Sequence, residues 1–204
     1  MGIKIDMPGL NNFIPEIPDG QIILIEGKLD PIKTFFVMHL GEIACKNGKD
    51  VVFITSKNKY EIRESLKTKD FGDGFKVIDE RSSRHWKDYI SNNSVLIIDS
   101  FSYLMLDKTL YEFRDVMEDM RDECKKRGAI GLFTLVDDML GEKEEITTEY
   151  LADGIIRFLT KKSSTGIDRY IRIPRWVGNV SFDENINYTF DGTRMSVDQR
   201  ERVV

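Results

Sequence analysis

The chain has 204 residues, of which 41% are hydrophobic and 32% are charged, and its net charge at pH 7 is −5. A chain of this length supports one substantial hydrophobic core, so we predict a single domain over residues 1–204. The acidic balance excludes an overall positive field for nucleic acid or anionic lipid, and no apolar run is long enough to span a membrane. The first residues lack a signal-peptide apolar core, and the two cysteines fit buried thiols, so we expect a cytoplasmic protein.

Strands and helices alternate through the first part of the sequence. The apolar run at residues 22–25 predicts a buried strand, and a helix follows from about residue 31 to 46, where Asn47-Gly48 ends it. The same reading gives strands at 51–55, 75–78, 95–99 and 130–136, and short helices near 60–66 and 82–90. Strands that alternate with helices in this way indicate a parallel sheet covered on both faces.

The longest predicted helix precedes the strand at 130–136. Apolar residues recur there at helical spacing: Leu106, Leu110, Phe113, Met117, Met120 and Cys124. Basic residues in the last turn, before Gly128, match the sign that the helix dipole favours. The spacing therefore predicts a helix that begins near Leu106 and ends at Arg127.

The pattern changes after residue 136. Residues 137–149 form an acidic connection, in which the charged run at 142–145 indicates the solvated start of a helix. Strands are expected at 154–160, 168–173, 187–190 and 195–197, with residues 161–166 as a hairpin connection between the first two. The predicted fold class is therefore α/β, with a mainly parallel central sheet flanked by helices and a C-terminal antiparallel β extension.

A short stretch after the first strand keeps the frame of a phosphate-binding P-loop, G-x-x-x-x-G-K-[ST]. Gly27 is the first glycine, and Lys33 and Thr34 take the places of the Lys-[Ser/Thr] pair. The second glycine is replaced by Ile32, and Pro31 stands before it. An intact loop binds phosphate with backbone N–H groups, while its lysine adds charge and its hydroxyl binds Mg²⁺. The loop therefore has the frame of this site with altered contents.

Asp30 is the residue in this loop with the greatest expected effect. Asp followed by Pro is a helix-start signal, with Asp30 as the N-cap and Pro31 at the first helical position. The Asp30 carboxylate should accept from the N–H groups of Ile32 and Lys33, which a phosphate would use. Because two unit charges about 4 Å apart interact by about 4 kcal/mol at an effective dielectric of about 20, we expect it to repel ATP. A generic helix cap without functional meaning is the alternative, and it predicts the same weak binding.

Four segments, in their order and spacing, resemble the KaiC-like branch of the RecA-fold ATPases. Residues 7–20 resemble the opening segment of that family, 97–100 its Walker B strand, 146–156 the lead into its late strands, and 169–178 the strand and loop of its Lys-x-Arg-Gly motif. The resemblance covers nearly the whole chain. It implies a RecA-like P-loop NTPase fold, assembly into hexameric rings and ATP bound between subunits.

The resemblance also assigns site residues. It makes Asp99 the acid that would order Mg²⁺. The alternative is a strand-end residue that forms a hydrogen bond with Thr34 or Ser100, and without a bound triphosphate we favour this alternative. The family's catalytic glutamates follow the strand after the P-loop helix, where this chain has Ser-Lys-Asn at 56–58, so we predict no catalytic residue. Arg175 matches the lysine of the family's trans-acting pair and is the predicted intersubunit residue, whereas Val177 replaces the partner arginine.

These features predict a non-hydrolysing protein that acts through protein partners, as a homo-oligomer or beside an intact relative, with no cofactor or metal. The alternative is a slow ATPase or an ATP-binding switch that holds ATP and Mg²⁺ with Gly27, Lys33, Thr34 and Asp99. A role as an accessory protein in DNA strand exchange ranks third. Nucleic acid is disfavoured because the connection at 137–149 is acidic, and phosphate contacts need positive charge.

Overall fold

The computed structural model describes residues 2–57, 62, 71–79, 85–164, 166–178, 180–192 and 194–197. Two short strands come first, β1 (Ile3–Lys4) and β2 (Glu16–Ile17), which pair with each other. The remaining elements are β3 (Ile22–Gly27), α1 (Pro31–Lys46), β4 (Val51–Thr55), β5 (Phe75–Asp79), β6 (Val95–Asp99), α2 (Phe101–Leu104), α3 (Leu110–Arg127), β7 (Ile130–Val136), α4 (Glu142–Leu151), β8 (Gly154–Ser163), β9 (Gly166–Trp176), β10 (Val180–Phe190) and β11 (Met195–Val197). Short 3₁₀ turns lie at Leu10–Asn12, Gly72–Gly74 and Trp86–Asp88.

The main sheet of the described residues has nine strands, in the order β11-β10-β9-β8-β3-β7-β6-β4-β5. The strands from β8 to β5 run parallel to one another. The strands from β8 to β11 form the antiparallel part. This topology confirms the predicted α/β class with an antiparallel C-terminal extension.

Burial on both faces explains why the central strands are continuous apolar runs. All six residues of β3 are buried, between β7 on one side and β8 on the other. Ile23 and Ile25 pack in the same cluster as Phe36 of α1, whereas Leu24 packs in a second cluster with Met117 of α3. Because side chains alternate between the faces of a strand, the helices cover opposite faces of the sheet.

The long helix α3 begins later than the sequence predicts. Its first residue is Leu110, and Leu106 lies before the helix with 52% of its surface exposed. Thr109 and Glu112 form a capping box, in which the Thr109 hydroxyl accepts from the Glu112 N–H and the Glu112 carboxylate accepts from the Thr109 N–H. The cap fixes the start because it satisfies backbone donors that the helix leaves free.

The late strands differ from the prediction more than the acidic connection does. Residues 142–151 form helix α4, so the charged run at 142–145 is the start of a helix, as the sequence predicts. Strand β8 continues through Ser163 and β9 starts at Gly166, so the residues predicted as a hairpin loop belong mainly to the ladder. Strand β10 starts at Val180, seven residues before its predicted start at 187. The added residues of these long antiparallel strands are mostly polar and pair with each other. Hydrophobic periodicity therefore does not reveal them as parts of strands.

Two short predicted helices remain. The prediction at 60–66 lies outside the described residues, apart from Ile62. Of the prediction at 82–90, the described part contains the 3₁₀ turn Trp86–Asp88, with Trp86 buried against the sheet.

Gly27 ends β3 at a position where the fold itself requires glycine. Its φ is +151°, and a Cβ atom there would lie 2.6 Å from the backbone oxygen of Phe158 in the paired strand β8. A contact this short with a backbone atom cannot be relieved by a side-chain rotation. Strand packing is therefore sufficient to explain this glycine.

We predict that Gly27→Ala lowers the free energy of unfolding by about 2 kcal/mol or more, because β3 and β8 must separate locally to admit the methyl group. Urea denaturation of the two proteins measures the difference. Gly74→Ala is the matched control, since the Cβ atom at Gly74 would meet its nearest neighbour at 3.5 Å. Equal losses in the two variants would contradict this account of Gly27.

Candidate functional site

The candidate site lies where the parallel strands β3, β4 and β6 end. The carboxyl ends of parallel strands share one edge of the sheet, and this edge is where α/β proteins commonly bind ligands. The loop from β3 to α1 supplies Asp30, and the first turn of α1 supplies Lys33 and Thr34. Lys57 follows β4 and Asp99 ends β6, which pairs with β4 so that Thr55 lies opposite Asp99. The structure therefore brings together the residues that the sequence singled out in the loop and at the end of β6.

Asp30 caps the N-terminus of α1, as the sequence predicts. Its Oδ1 accepts a hydrogen bond from the N–H of Ile32 at 2.8 Å, and Pro31 occupies the first helical turn. The second predicted bond, from the N–H of Lys33, is absent from the contacts of these described residues. The carboxylate nevertheless places a negative charge at the positive end of the helix.

The Lys33 side chain turns back onto its own loop. Its Nζ donates to the carbonyl oxygen of Gly27 at 2.7 Å and also to the carbonyl oxygen of Lys28. The residue is only 3% exposed, and this burial lowers the pKa of Lys33, with the nearby charge of Asp137 acting in the opposite direction. The ammonium group is therefore bonded inside the loop that a phosphate would enter.

Thr34, Asp99 and Lys57 form a second cluster beside the loop. The Thr34 hydroxyl donates to Asp99 Oδ2 at 2.8 Å, which confirms the hydrogen bond considered from sequence. The Lys57 Nζ lies 2.9 Å from Thr34 Oγ1 and 2.9 Å from Asp99 Oδ2. The other carboxylate oxygen, Oδ1, accepts from the Thr134 hydroxyl at 2.7 Å. Nothing in the sequence indicates this role for Lys57, which is notable there only as a residue that stands where the resembled family has a catalytic glutamate.

This arrangement does not fit a magnesium-bound nucleotide. Mg²⁺ requires oxygen ligands at about 2.1 Å, but the ammonium of Lys57 already contacts both the hydroxyl and the carboxylate oxygen that would supply them. The carboxylate of Asp30 and the ammonium of Lys33 are likewise bonded to the loop. Within the described residues, no group of three or more His, Cys, Asp or Glu side chains is placed to hold a metal ion.

A charged network that sequence reasoning missed lies next to the loop. Arg157 of β8 donates from Nε to Glu26 Oε2 at 2.6 Å and from Nη2 to Glu149 Oε1 at 2.5 Å. These residues, with Asp137 and others, line a cavity of about 360 Å³. Burial raises the pKa of Glu26 to about 7, and the hydrogen bond from Arg157 partly opposes this shift. The only signal in the sequence was a carboxylate at the end of an otherwise apolar strand.

Arg175, the predicted intersubunit residue, lies away from the loop and contacts its own chain. Its Nη1 donates to the carbonyl oxygens of Glu149 at 2.7 Å and Ala152 at 3.2 Å, at the C-terminal end of α4. Helix C-termini carry unpaired carbonyl groups and a partial negative charge, both of which a guanidinium satisfies. Arg175 thus caps α4, and its role between subunits stays a prediction.

The fold and the loop frame define a class of protein: the chain has a RecA-like fold of the KaiC-like type. It is similar to the crystal structure of KaiC-like protein PH0186 from Pyrococcus horikoshii OT3, with a TM-score of 0.80 and 18% identity over 97% of this chain and 99% of that one. It is also similar to the flagellar accessory protein FlaH from Methanocaldococcus jannaschii, with a TM-score of 0.76 and 16% identity over the same shares of the two chains.

Within this class the chain belongs to the family described as Family of unknown function (DUF7125), whose model matches residues 49–203. No curated protein matches the sequence. In the part of the chain that the structure describes, every helix is too short or too polar to cross a membrane.

We predict that Glu26 makes stability depend on pH near neutrality. Its pKa is about 7 in the folded chain and 4.5 is its ordinary value, so the folded state binds more protons than the unfolded state between these two values. The free energy of unfolding should therefore fall as pH rises from 4.5 to 7, by up to about 3 kcal/mol. Chemical denaturation across this range measures the slope.

Glu26→Gln should flatten this slope, because glutamine can accept from Arg157 without titrating. Some slope will remain, since burial also raises the pKa values of Asp137 and Glu145. Glu118→Gln, which changes an exposed carboxylate on α3, is the control. An unchanged slope in Glu26→Gln would show that Glu26 is not the responsible group.

Proposed function

We propose that this chain is a non-hydrolysing RecA-fold protein that acts by contacts with other proteins. The observation that supports this proposal is the internal pairing of the loop: Asp30 bonds the N–H of Ile32, and Lys33 bonds the carbonyl oxygens of Gly27 and Lys28. The two charged side chains of the loop are therefore engaged with its own backbone.

This pairing opposes nucleotide binding in three ways. A phosphate at the start of α1 would compete with the Asp30 carboxylate for the N–H of Ile32. At a separation of about 4 Å and an effective dielectric of about 20, one unit charge on the phosphate would repel that carboxylate by about 4 kcal/mol. Lys33 would also have to leave two hydrogen bonds in a buried position before it could meet the phosphate.

The residues after β4 weaken the case for hydrolysis further. Strand β4 ends at Thr55, and the next two residues are Ser56 and Lys57, so this strand end supplies no carboxylate to activate water. Asp99 is 3% exposed and already accepts from Thr34 and Thr134. Because a general base typically contributes about 10²–10⁴-fold to a rate, the lack of a carboxylate at this strand end argues against efficient turnover.

Exposed apolar side chains favour a role in protein contacts. Ile146 and Tyr150 lie one turn apart on α4, with 59% and 75% of their surfaces exposed. Leu29, in the loop itself, is 87% exposed. Aromatic and aliphatic side chains of this kind supply much of the energy of protein interfaces. We therefore propose a cytoplasmic regulatory or assembly subunit that forms a homo-oligomer or joins an intact relative.

The second candidate is an ATP-binding switch. It is favoured by the direct hydrogen bond between Thr34 and Asp99, because this hydroxyl–carboxylate pair is the one that a P-loop protein uses near its metal. In this candidate, Gly27 and Lys33 would complete the site after the internal contacts of Lys33 had broken.

Calorimetric titration separates these two functions. We expect no saturable heat from ATP with Mg²⁺ in the micromolar range, and no Mg²⁺-dependent phosphate release above that of Lys33→Ala. A micromolar dissociation constant would favour the switch. Hydrolysis that disappears in Lys33→Ala would overturn the proposed function, because Lys33 would then be a working phosphate ligand.

Restoring the loop should restore affinity for ATP. The triple change Asp30→Ser, Pro31→Ser and Ile32→Gly removes the carboxylate, returns a backbone N–H and makes room, so we expect ATP to bind at least roughly tenfold more tightly, or about 1.4 kcal/mol. Asp107→Ser removes one exposed acid elsewhere and should leave the affinity unchanged. Unchanged affinity in the triple variant would mean that the loop residues do not block the site.

A further inference from the structure

The carboxylate of Asp99 is buried at the end of a central strand. Without a nearby positive charge, its burial would lower the free energy of unfolding. Asp99 is 3% exposed, and both of its oxygens accept hydrogen bonds from threonine hydroxyls, Thr34 on one side and Thr134 on the other. Hydroxyl groups satisfy the hydrogen-bonding capacity of a carboxylate but carry no counter-charge. Burial of a carboxylate is costly unless both hydrogen bonds and a nearby positive charge offset the loss of solvation.

Lys57 supplies the positive charge by direct contact. Its Nζ lies 2.9 Å from Asp99 Oδ2 and 2.9 Å from Thr34 Oγ1, so it bridges the end of β6 and the first turns of α1. The other ammonium nearby, that of Lys33, is bonded to the carbonyl oxygens of Gly27 and Lys28 instead.

The backbone at the end of β4 directs Lys57 to this position. Thr55 pairs with Asp99 in the parallel ladder, so the residues after Thr55 leave the sheet beside the carboxylate. The N–H of Lys57 donates to the buried Thr55 hydroxyl at 3.1 Å, a local turn that fixes the first residues after the strand. The lysine side chain is long enough to return from there to the carboxylate, with 43% of it exposed and its ammonium group bonded.

We propose that Lys57 is a tethered cation that occupies the position of a divalent metal between Thr34 and Asp99. A divalent ion at this place would contact the same hydroxyl and carboxylate oxygens, so ion and ammonium exclude each other by volume and by charge. The proposal deepens the proposed function and rests on it: a chain that carries its own cation needs no Mg²⁺ to balance Asp99.

We therefore expect the wild-type site to bind no divalent metal ion, because the Lys57 ammonium already occupies it. Removing the ammonium should leave Asp99, Thr34 and the vacated space as a weak site for a divalent ion. Replacing lysine with arginine should keep the site closed, because the positive charge remains.

Titration with Mn²⁺ alone, followed by electron paramagnetic resonance, tests this directly. We expect no saturable binding by the wild type or by Lys57→Arg. Lys57→Gln should bind Mn²⁺ roughly tenfold or more tightly than the wild type, and Lys57→Gln with Asp99→Asn should lose the gain. Millimolar Mg²⁺ should raise the Tm of Lys57→Gln and leave that of the wild type unchanged. Lys87→Gln is the control, since Lys87 pairs at 2.8 Å with Asp119 on the exposed surface, and it should behave as the wild type.

Two results would overturn the proposal. One is equal Mn²⁺ affinity in the wild type and Lys57→Gln, whether both bind or neither does. The second result concerns folding. If Lys57→Gln is unfolded without metal, Mg²⁺ should restore its circular dichroism spectrum. An unfolded variant that Mg²⁺ does not restore would contradict the proposal. Because no nucleotide is present, these outcomes are independent of the ATP titration that tests the proposed function.

Discussion

The buried carboxylate of Asp99 is the constraint on which the candidate site depends. A carboxylate that is 3% exposed at the end of β6 needs hydrogen-bond donors and a nearby positive charge to offset its burial. Lys57 after β4, Thr34 of α1 and Thr134 of β7 supply them, so three elements meet at one carboxylate on the polar edge of the sheet. The same contacts take up the hydroxyl and carboxylate oxygens that a metal would need. Stability and closure of the site thus have one physical origin.

The loop before α1 repeats this principle with the opposite charge. At the metal position the chain places an ammonium, and at the helix N-terminus, where a phosphate would lie, it places the carboxylate of Asp30. The Lys57 ammonium balances the charge of the Asp99 carboxylate, and the Asp30 carboxylate balances the partial positive charge at the N-terminus of α1. Neither position then needs a bound ion for this balance. Under the proposed function, a site balanced in this way gains little from ATP and Mg²⁺, and the RecA-like scaffold acts through protein contacts on surfaces such as the exposed residues Ile146 and Tyr150 of α4.

The network around Arg157, on the other side of the loop, also pairs a buried carboxylate with a basic side chain. Arg157 joins β8 to Glu26 of β3 and Glu149 of α4, and Arg175 caps the end of α4 from β9. The contacts of Arg157 join β8 and α4 to the residue before Gly27, and those of Arg175 join β9 to α4 further from the loop. Protonation of Glu26, whose pKa burial raises to about 7, would weaken the pair with Arg157 at the base of the loop. The Asp99 cluster and the Glu26 cluster therefore both contact elements that hold the loop in position.

The sequence by itself determined the α/β fold, the Asp30 cap of α1 and the frame of the loop, and it left the partner of Asp99 open between Thr34 and Ser100. Hydrophobic periodicity and capping signals act within a few residues, so they survive in the sequence as local patterns. Only the tertiary structure decided that Lys57 binds Asp99 and that Arg157 binds Glu26, because these partners lie 42 and 131 residues apart in the sequence. The late start of α3 is a lesser case, in which the capping box outweighed the apolar spacing at Leu106. Contacts between distant residues follow from strand order and register, and those depend on packing the whole sheet rather than on any local pattern.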